Sequence, residues 1–250
     1  MRPPFDIVEA MTSADWWGPW FARGDWSRWH VFLRALFGLP MADAGLPLYR
    51  ECTGRDAPPA VRAQEADAIV GRRGGKTRVM STVAAWLAAF DTDWRNYLDR
   101  GEMAHVLLVA KDQTQAGVAF GYLSSLFLDH PVLHDLVLSS TADSLTLSNA
   151  AASFRGLRGY AIAALLADEL GYWFDTEISA NPAEEIIAAI RPAMLQFRGR
   201  AMLLCASSPY RRAGPLWTAY RQRGRAGSPN ARMISSIAFA RRPPPQATGL

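Results

Sequence analysis

Residues Gly71-Arg72-Arg73-Gly74-Gly75-Lys76-Thr77 follow a short apolar run, Ala68-Ile69-Val70, and precede a long apolar helical pattern. Strand, glycine-rich turn, Lys-Thr and helix, in that order, is the layout of a phosphate-binding loop. Glycines let backbone N–H groups turn inward around phosphate oxygens, at the positive end of the following helix. Lys76 would add a mobile positive charge for the terminal phosphates of ATP, and the Thr77 hydroxyl a ligand for Mg²⁺. Gly71, Arg73, Gly74, Gly75, Lys76 and Thr77 are therefore the candidate nucleotide-binding residues. The chain has only two lysines, Lys76 and Lys111, against 25 arginines. It has kept Lys where a slim point charge suits best. The glycine that opens the standard pattern would fall at Val70; here it stands one step later, at Gly71. The plain alternative is a strand-to-helix turn that holds no ligand.

Two further strand ends carry reactive groups. The apolar run Ala161 to Ala167 ends in Asp168-Glu169, 92 residues after Lys76. Two adjacent carboxylates at a strand end are costly to bury unless a cation sits there. Asp168 suits a Mg²⁺ site, and Glu169 suits the group that orients or deprotonates an attacking water. The third element is Leu203-Leu204-Cys205-Ala206-Ser207-Ser208-Pro209-Tyr210, a strand ending in two hydroxyls. Hydroxyls there can reach a water beside the γ-phosphate and respond when it is lost. They could equally cap the next helix.

These groups need elements to hold them. From residue 67 the pattern alternates strand and helix: strand 67–71, helix 76–90, strand 105–110, helix 113–128, and a short strand pair near 136–138 and 144–148. Strand 161–167, helix 182–197, strand 201–206 and helix 214–223 follow, and Ile234 to Phe239 could add a last strand. Continuous apolar strands separated by helices predict a mainly parallel sheet with helices on both faces, an α/β fold of the P-loop NTPase type. Ligands then belong at the carboxyl ends of the strands, where every motif above falls. Residues 1–66 hold five of nine tryptophans: Trp16, Trp17, Trp20, Trp26 and Trp29. From Trp26 to Phe37 the apolar residues recur at helical spacing, which predicts an amphipathic helix packed on the main domain. Its aromatic stripe reads as core, with a base-stacking platform as the alternative. Gly45 to Pro59 reads as a turn-rich linker. Residues 67–240 form the expected ATPase core and 241–250 a disordered tail.

Taken together, the three motifs resemble the ATPase domain of the large terminase subunit of tailed bacteriophages, the motor that packages DNA into the capsid. Gly71 to Thr77 is similar to that family's arginine-containing phosphate loop (Walker A), and Leu166-Ala167-Asp168-Glu169-Leu170 to its second motif (Walker B). Ser207-Ser208-Pro209 resembles its coupling motif, and Arg158-Gly159 its Arg-Gly element. Thr53-Gly54-Arg55 and the tryptophan-rich start are similar to one branch of such proteins. The likeness covers about residues 15–225. It implies Mg²⁺-dependent ATP hydrolysis coupled to translocation of double-stranded DNA. Lys76 and the loop amides would hold the phosphates, Thr77 and Asp168 the metal, and Glu169 would be the catalytic carboxylate. Arg72 would sense the γ-phosphate. Arg158, or Arg155 close by, would be an arginine finger acting on a neighbouring subunit's nucleotide. A homo-oligomeric ring, a small terminase subunit and a portal protein are the implied partners. The implied setting is the cytoplasm of a bacterial host, with the chain encoded by a phage or prophage.

Composition narrows the rest. The 250 residues are 50% apolar and 20% charged, which fits a globular chain with a sizeable core. No apolar run approaches the roughly 18–20 residues that span a bilayer, so no membrane role is expected. The first residues lack the design of a signal peptide. Two cysteines cannot build a disulfide framework, and no Cys/His group has metal-ligand spacing. The four histidines read as structural or surface residues. Net charge is +4 but uneven: after Glu185 there are 11 arginines and no carboxylate. A C-terminal stretch at +11 suits DNA, with Arg211, Arg212, Arg221, Arg223 and Arg225 as the obvious cluster. Arginine-rich codon bias is the competing cause.

Large terminases also carry a nuclease domain whose metals are held by acidic residues. Only 42 residues follow Ser208, none of them acidic. A two-metal nuclease is therefore not expected in this chain. The expected product is a motor domain standing alone, either a split-gene product or a truncated or frameshifted prophage remnant. The alternative is a truncated relic or assembly module that binds nucleotide or DNA without turnover. A small-molecule kinase is the third reading, and the water-directed Asp-Glu pair speaks against it.

Overall fold

The computed structural model describes residues 5–91, 93–148, 150–154, 159–173, 182–209, 215–222 and 232–237. Among the described residues, eight strands form one sheet: β1 (Glu65–Val70), β2 (Ala104–Val109), β3 (Val137–Ser140), β4 (Ser144–Leu147), β5 (Ala151–Ser153), β6 (Ala161–Asp168), β7 (Met202–Ser207) and β8 (Arg232–Ile237). Their order across the sheet is β3-β4-β5-β2-β6-β7-β1-β8. From β5 to β8 every pairing is parallel; β3, β4 and β5 add an antiparallel extension. The sheet is thus mainly parallel, as the alternating pattern requires.

Period-2 alternation assigns each strand's residues to two covered faces. Val106 and Leu108 of β2, and Met202, Leu204 and Ala206 of β7, join one core with helix α5 (Lys76–Phe90). Leu107, Leu203 and Cys205 join a second core with Ile187 and Ile190 of helix α7 (Pro182–Leu195). Helix α6 (Gln113–Leu128) packs beside α5, its start fixed by Asp112, whose carboxylate accepts the Gln115 N–H at 2.9 Å. Helix α8 (Pro215–Gln222) follows β7. Helices therefore cover both faces. Every helix and strand expected from residue 67 onward forms, with ends within about two residues of the expected ones. β5 is the addition: three residues of Ala-Ala-Ser have no strand signature and become a strand by pairing with His105 to Leu107.

Four helices precede the sheet: α1 (Ile7–Thr12), α2 (Gly18–Phe21), α3 (Ser27–Phe37) and α4 (Leu46–Thr53). Asp6 and Glu9 form a capping box that starts α1. The helix α3 follows the predicted stripe, and Trp29, Phe32, Leu33 and Leu36 are buried in the same core as α5. Trp17 is also fully buried, and Trp16 stacks on the buried His130 ring at 4.8 Å. The aromatic residues of this region are in large part core.

The segment read as a turn-rich linker, 45–59, is corrected: its first half is helix α4. Pro47 sits in the first turn, where a missing N–H costs nothing, and Gly54 closes the helix at φ +68°. The punctuating residues bracket a helix with Tyr49 and Cys52 turned inward.

Because the N-terminal helices share one core with the sheet, weakening them weakens the whole. Leu33→Ala, at a fully buried site, should lower unfolding free energy by about 2–5 kcal/mol. Urea unfolding followed by tryptophan fluorescence measures this, and one transition should remain.

Candidate active site

β7 lies between β1 and β6, all three parallel. Their carboxyl ends therefore bring the glycine loop, the paired carboxylates and the two serines side by side. The loop turns tightly: the Gly74 N–H donates to the Gly71 carbonyl at 3.1 Å, and Arg73 and Gly75 both take left-handed φ values of 62° and 76°. Lys76 and Thr77 then open α5.

Consecutive residues of a strand point to opposite faces, so Asp168 and Glu169 would diverge if β6 continued. Glu169 instead adopts φ 56°, ψ 35°, a left-handed conformation costing a non-glycine residue about 1–3 kcal/mol. Its amide donates to its neighbour's carboxylate, Asp168 Oδ1, at 2.9 Å. Both carboxylates now face the first turn of α5. Thr77 Oγ1 donates to Asp168 Oδ2 at 2.6 Å, and Lys76 Nζ meets Glu169 Oε1 at 2.7 Å. Lys76 also donates to Ser208 Oγ at 3.2 Å. Glu169 Oε2 lies 3.4 Å from both Ser207 Oγ and the Ser208 amide. Ser207 Oγ accepts the Gly171 N–H at 3.0 Å, which ties the end of β7 to the turn after Glu169.

Six expected site residues thus converge: Lys76, Thr77, Asp168, Glu169, Ser207 and Ser208. Arg72 stands exposed at the rim, held in its charged form first by Tyr172 and more weakly by Glu169. Arg73 is exposed too, and Gly71 borders open space. Arg221 is exposed in the last turn of α8. Arg155, Arg158, Arg211, Arg212, Arg223 and Arg225 lie outside the described residues, as does the tail, 241–250. Gln64 sits before β1, away from the loop, with its carbonyl accepting the Leu203 N–H at 2.8 Å.

Several contacts were not readable from spacing. Trp29 Nε1 donates to the Gly74 carbonyl at 2.7 Å, and the Trp26 ring lies against Gly75. Trp173 Nε1 donates to the Asp168 carbonyl at 3.0 Å. The i, i+3 spacing of Trp26 and Trp29 gave a shared helix face but no hint that it meets a loop 45 residues on.

Asp168 is 6% exposed, and burial pushes its carboxyl above the ordinary range, with the Thr77 hydroxyl and Lys76 opposing. A desolvated carboxylate beside one hydroxyl fits a hard divalent cation. Among the described residues no group of three or more His, Cys, Asp or Glu could cage a metal. Thr77 Oγ1 and Asp168 Oδ2, 2.6 Å apart, could supply one or two oxygens to such a cation, which would need its other ligands from elsewhere. Likewise among the described residues, no helix is long and apolar enough to cross a membrane.

Fold and site together define a mainly parallel α/β protein with a glycine-rich loop facing paired carboxylates. Among solved structures, the chain is similar to the large terminase of bacteriophage HK97 at 18% identity and a TM-score of 0.44. That match covers 68% of this chain and 34% of the HK97 protein. A variant of the large terminase ATPase domain of Thermus phage P74-26 matches at 17% identity and a TM-score of 0.47, covering 84% of this chain and 85% of that one. The N-terminal domain of the DNA packaging ATPase from bacteriophage phi29 matches at 14% identity and a TM-score of 0.43, covering 70% and 90%. The chain thus spans about a third of the HK97 protein. No family model matches the chain, and no curated protein matches it. The chemistry of the site rests on its geometry, not on these similarities.

Since burial raises Asp168 above its ordinary value of 3.8, the ligand-free fold is favoured while this carboxyl is protonated. That contribution is lost as pH rises through the raised value. Asp168→Asn should therefore melt higher than the parent at pH 7 without nucleotide or metal. The gap should close as pH falls below 3.8, read by differential scanning calorimetry.

Proposed function

We propose that the chain is the ATP-hydrolysing motor domain of a phage DNA-packaging terminase large subunit, coupling Mg²⁺-dependent ATP hydrolysis to translocation of double-stranded DNA. One observation carries the first half: Lys76, Thr77, Asp168, Glu169 and Ser208 meet within hydrogen-bond reach at the ends of adjacent parallel strands. The loop amides and Lys76 bind the phosphates. Thr77 and Asp168 would hold Mg²⁺, which would supply positive charge to the phosphates when bound. Lys76 and Glu169 neutralise one another in the ligand-free chain. A γ-phosphate that draws Lys76 away frees the Glu169 carboxylate to orient a water in line with the γ-phosphorus. As the water oxygen bonds to phosphorus, its proton passes to Glu169, and the bond to the β–γ bridging oxygen breaks, giving ADP and phosphate. Ser207 and Ser208 touch the same carboxylate, so loss of phosphate is felt at the end of β7. Arg72, exposed at the rim, would meet the γ-phosphate. Arg158 or Arg155 would act on a neighbouring protomer's nucleotide in a ring.

The DNA half rests on charge: 11 arginines and no carboxylate after Glu185. Small terminase subunit and portal protein are the partners such a motor would have.

Two measurements check this. Purified chain with Mg²⁺ should hydrolyse ATP faster with double-stranded DNA, and Glu169→Ala and Lys76→Ala should each lose about 10²–10⁴-fold. A folded chain that binds ATP without turnover would overturn the motor reading in favour of a binding relic. Arg221→Ala should flatten the dependence of DNA affinity on log salt by about 0.9 for each phosphate that Arg221 neutralises; an unchanged slope would leave Arg221 a solvated residue.

A further inference from the structure

Trp29 belongs to helix α3, outside the strands and loops that supply the site. It is 1% exposed, and its indole N–H donates at 2.7 Å to the Gly74 carbonyl, in the turn of the phosphate loop. A peptide unit is planar and, with no cis bond in the described chain, its C=O and N–H point in opposite directions. Drawing the Gly74 carbonyl toward Trp29 therefore drives the Gly75 N–H of the same peptide the other way. Among the described residues that N–H has no hydrogen-bond partner. Gly75 holds φ 76°, and a Cβ there would come within 2.6 Å of the Trp26 ring. One tryptophan thus orients the peptide while another closes the space beside it.

We propose that Trp29 is a positioning residue for nucleotide binding: its indole N–H presets the Gly74–Gly75 peptide so that the Gly75 N–H faces an incoming phosphate. This rests on the nucleotide-binding reading above. It assigns to the N-terminal helices a share in phosphate affinity as well as in the core. A loop already turned before the ligand arrives has less freedom to lose on binding. The bland account is that a buried indole N–H needs some acceptor. That account requires stability to fall when the N–H is removed and leaves affinity alone. The positioning role requires the reverse emphasis: affinity falls and the chemical step does not, because the indole N–H is given to Gly74 and not to Lys76 or Glu169.

The test uses the full chain, with ADP binding by calorimetry and ATP turnover for the parent, Trp29→Phe, and a chain with 3-benzothienylalanine at 29. The last keeps the shape of the indole and replaces only its N–H by sulfur. We expect both replacements to raise the Kd for ADP and the KM for ATP roughly three- to tenfold, the worth of one hydrogen bond, with kcat within about twofold. Unchanged Kd in a folded benzothienyl chain overturns the proposal, whatever the melting temperature does. So does a loss confined to Trp29→Phe, which would trace the effect to packing. A parent chain that binds no ADP removes the nucleotide reading itself, and this inference with it; parent binding with no change on substitution removes the inference alone.

Discussion

Lys76 and Glu169 meet at 2.7 Å where neither side chain is more than about a fifth exposed, and much of the architecture serves to bring them there. Lys76 comes from the first turn of α5, Glu169 from the turn after β6, and β7 lies between the strands that carry them. The pair would be costly if either partner were missing, since an unmatched charge would be left poorly solvated. Ser208 Oγ accepts a hydrogen bond from Lys76 Nζ, and the Ser208 amide and Ser207 hydroxyl approach the remaining oxygen of Glu169. The end of β7 thus brackets the ion pair from below. The left-handed backbone at Glu169 is the local cost of this arrangement, because a regular strand would send that carboxylate to the opposite face from Asp168.

Much of this was legible from sequence, for identifiable reasons. The helix from Lys76 to Phe90 and the strands at β2, β6 and β7 have long, unmixed apolar signatures, and their ends carry the residues that could do chemistry. What the sequence leaves unwritten depends on contacts between distant segments. β5 is a strand because β2 and β4 lie on either side of it. Helix α4 was masked by its own punctuation, since Pro47 and Gly54 signal turns as readily as helix ends. Trp29 was visible as part of a stripe, but its acceptor lies on a loop set by other elements. The left-handed turn at Glu169, a residue type with no special freedom there, had no signal in the sequence.

The N-terminal helices have two duties. Trp17, Leu33 and Leu36 are buried against the same core as α5, so these helices cover an apolar face that would otherwise meet water. Arg78, in the first turn of α5, donates to the Trp20 carbonyl at 3.0 Å, and its guanidinium lies 5.0 Å from the Tyr122 ring and 6.0 Å from that of Trp26. The start of α5, where Lys76 and Thr77 sit, is thereby held from α2, the lead into α3, and α6 at once. Fold stability and the geometry of the glycine loop have common supports.

The order of strands across the sheet differs greatly from their order along the chain. β1 is made first, yet both of its neighbours, β7 and β8, come from the last third of the sequence, with Glu65 opposite Leu203 on one side and Arg232 on the other. During synthesis the glycine loop emerges some 90 residues ahead of the carboxylates and 130 ahead of the serines that complete its surroundings. Such long-range parallel pairing is slow to close. A nascent chain therefore carries its glycine loop without the strands that flank β1 until β7 and β8 have been made. Lys76 and Thr77 can meet their carboxylate and serine partners only once synthesis has passed Ser208.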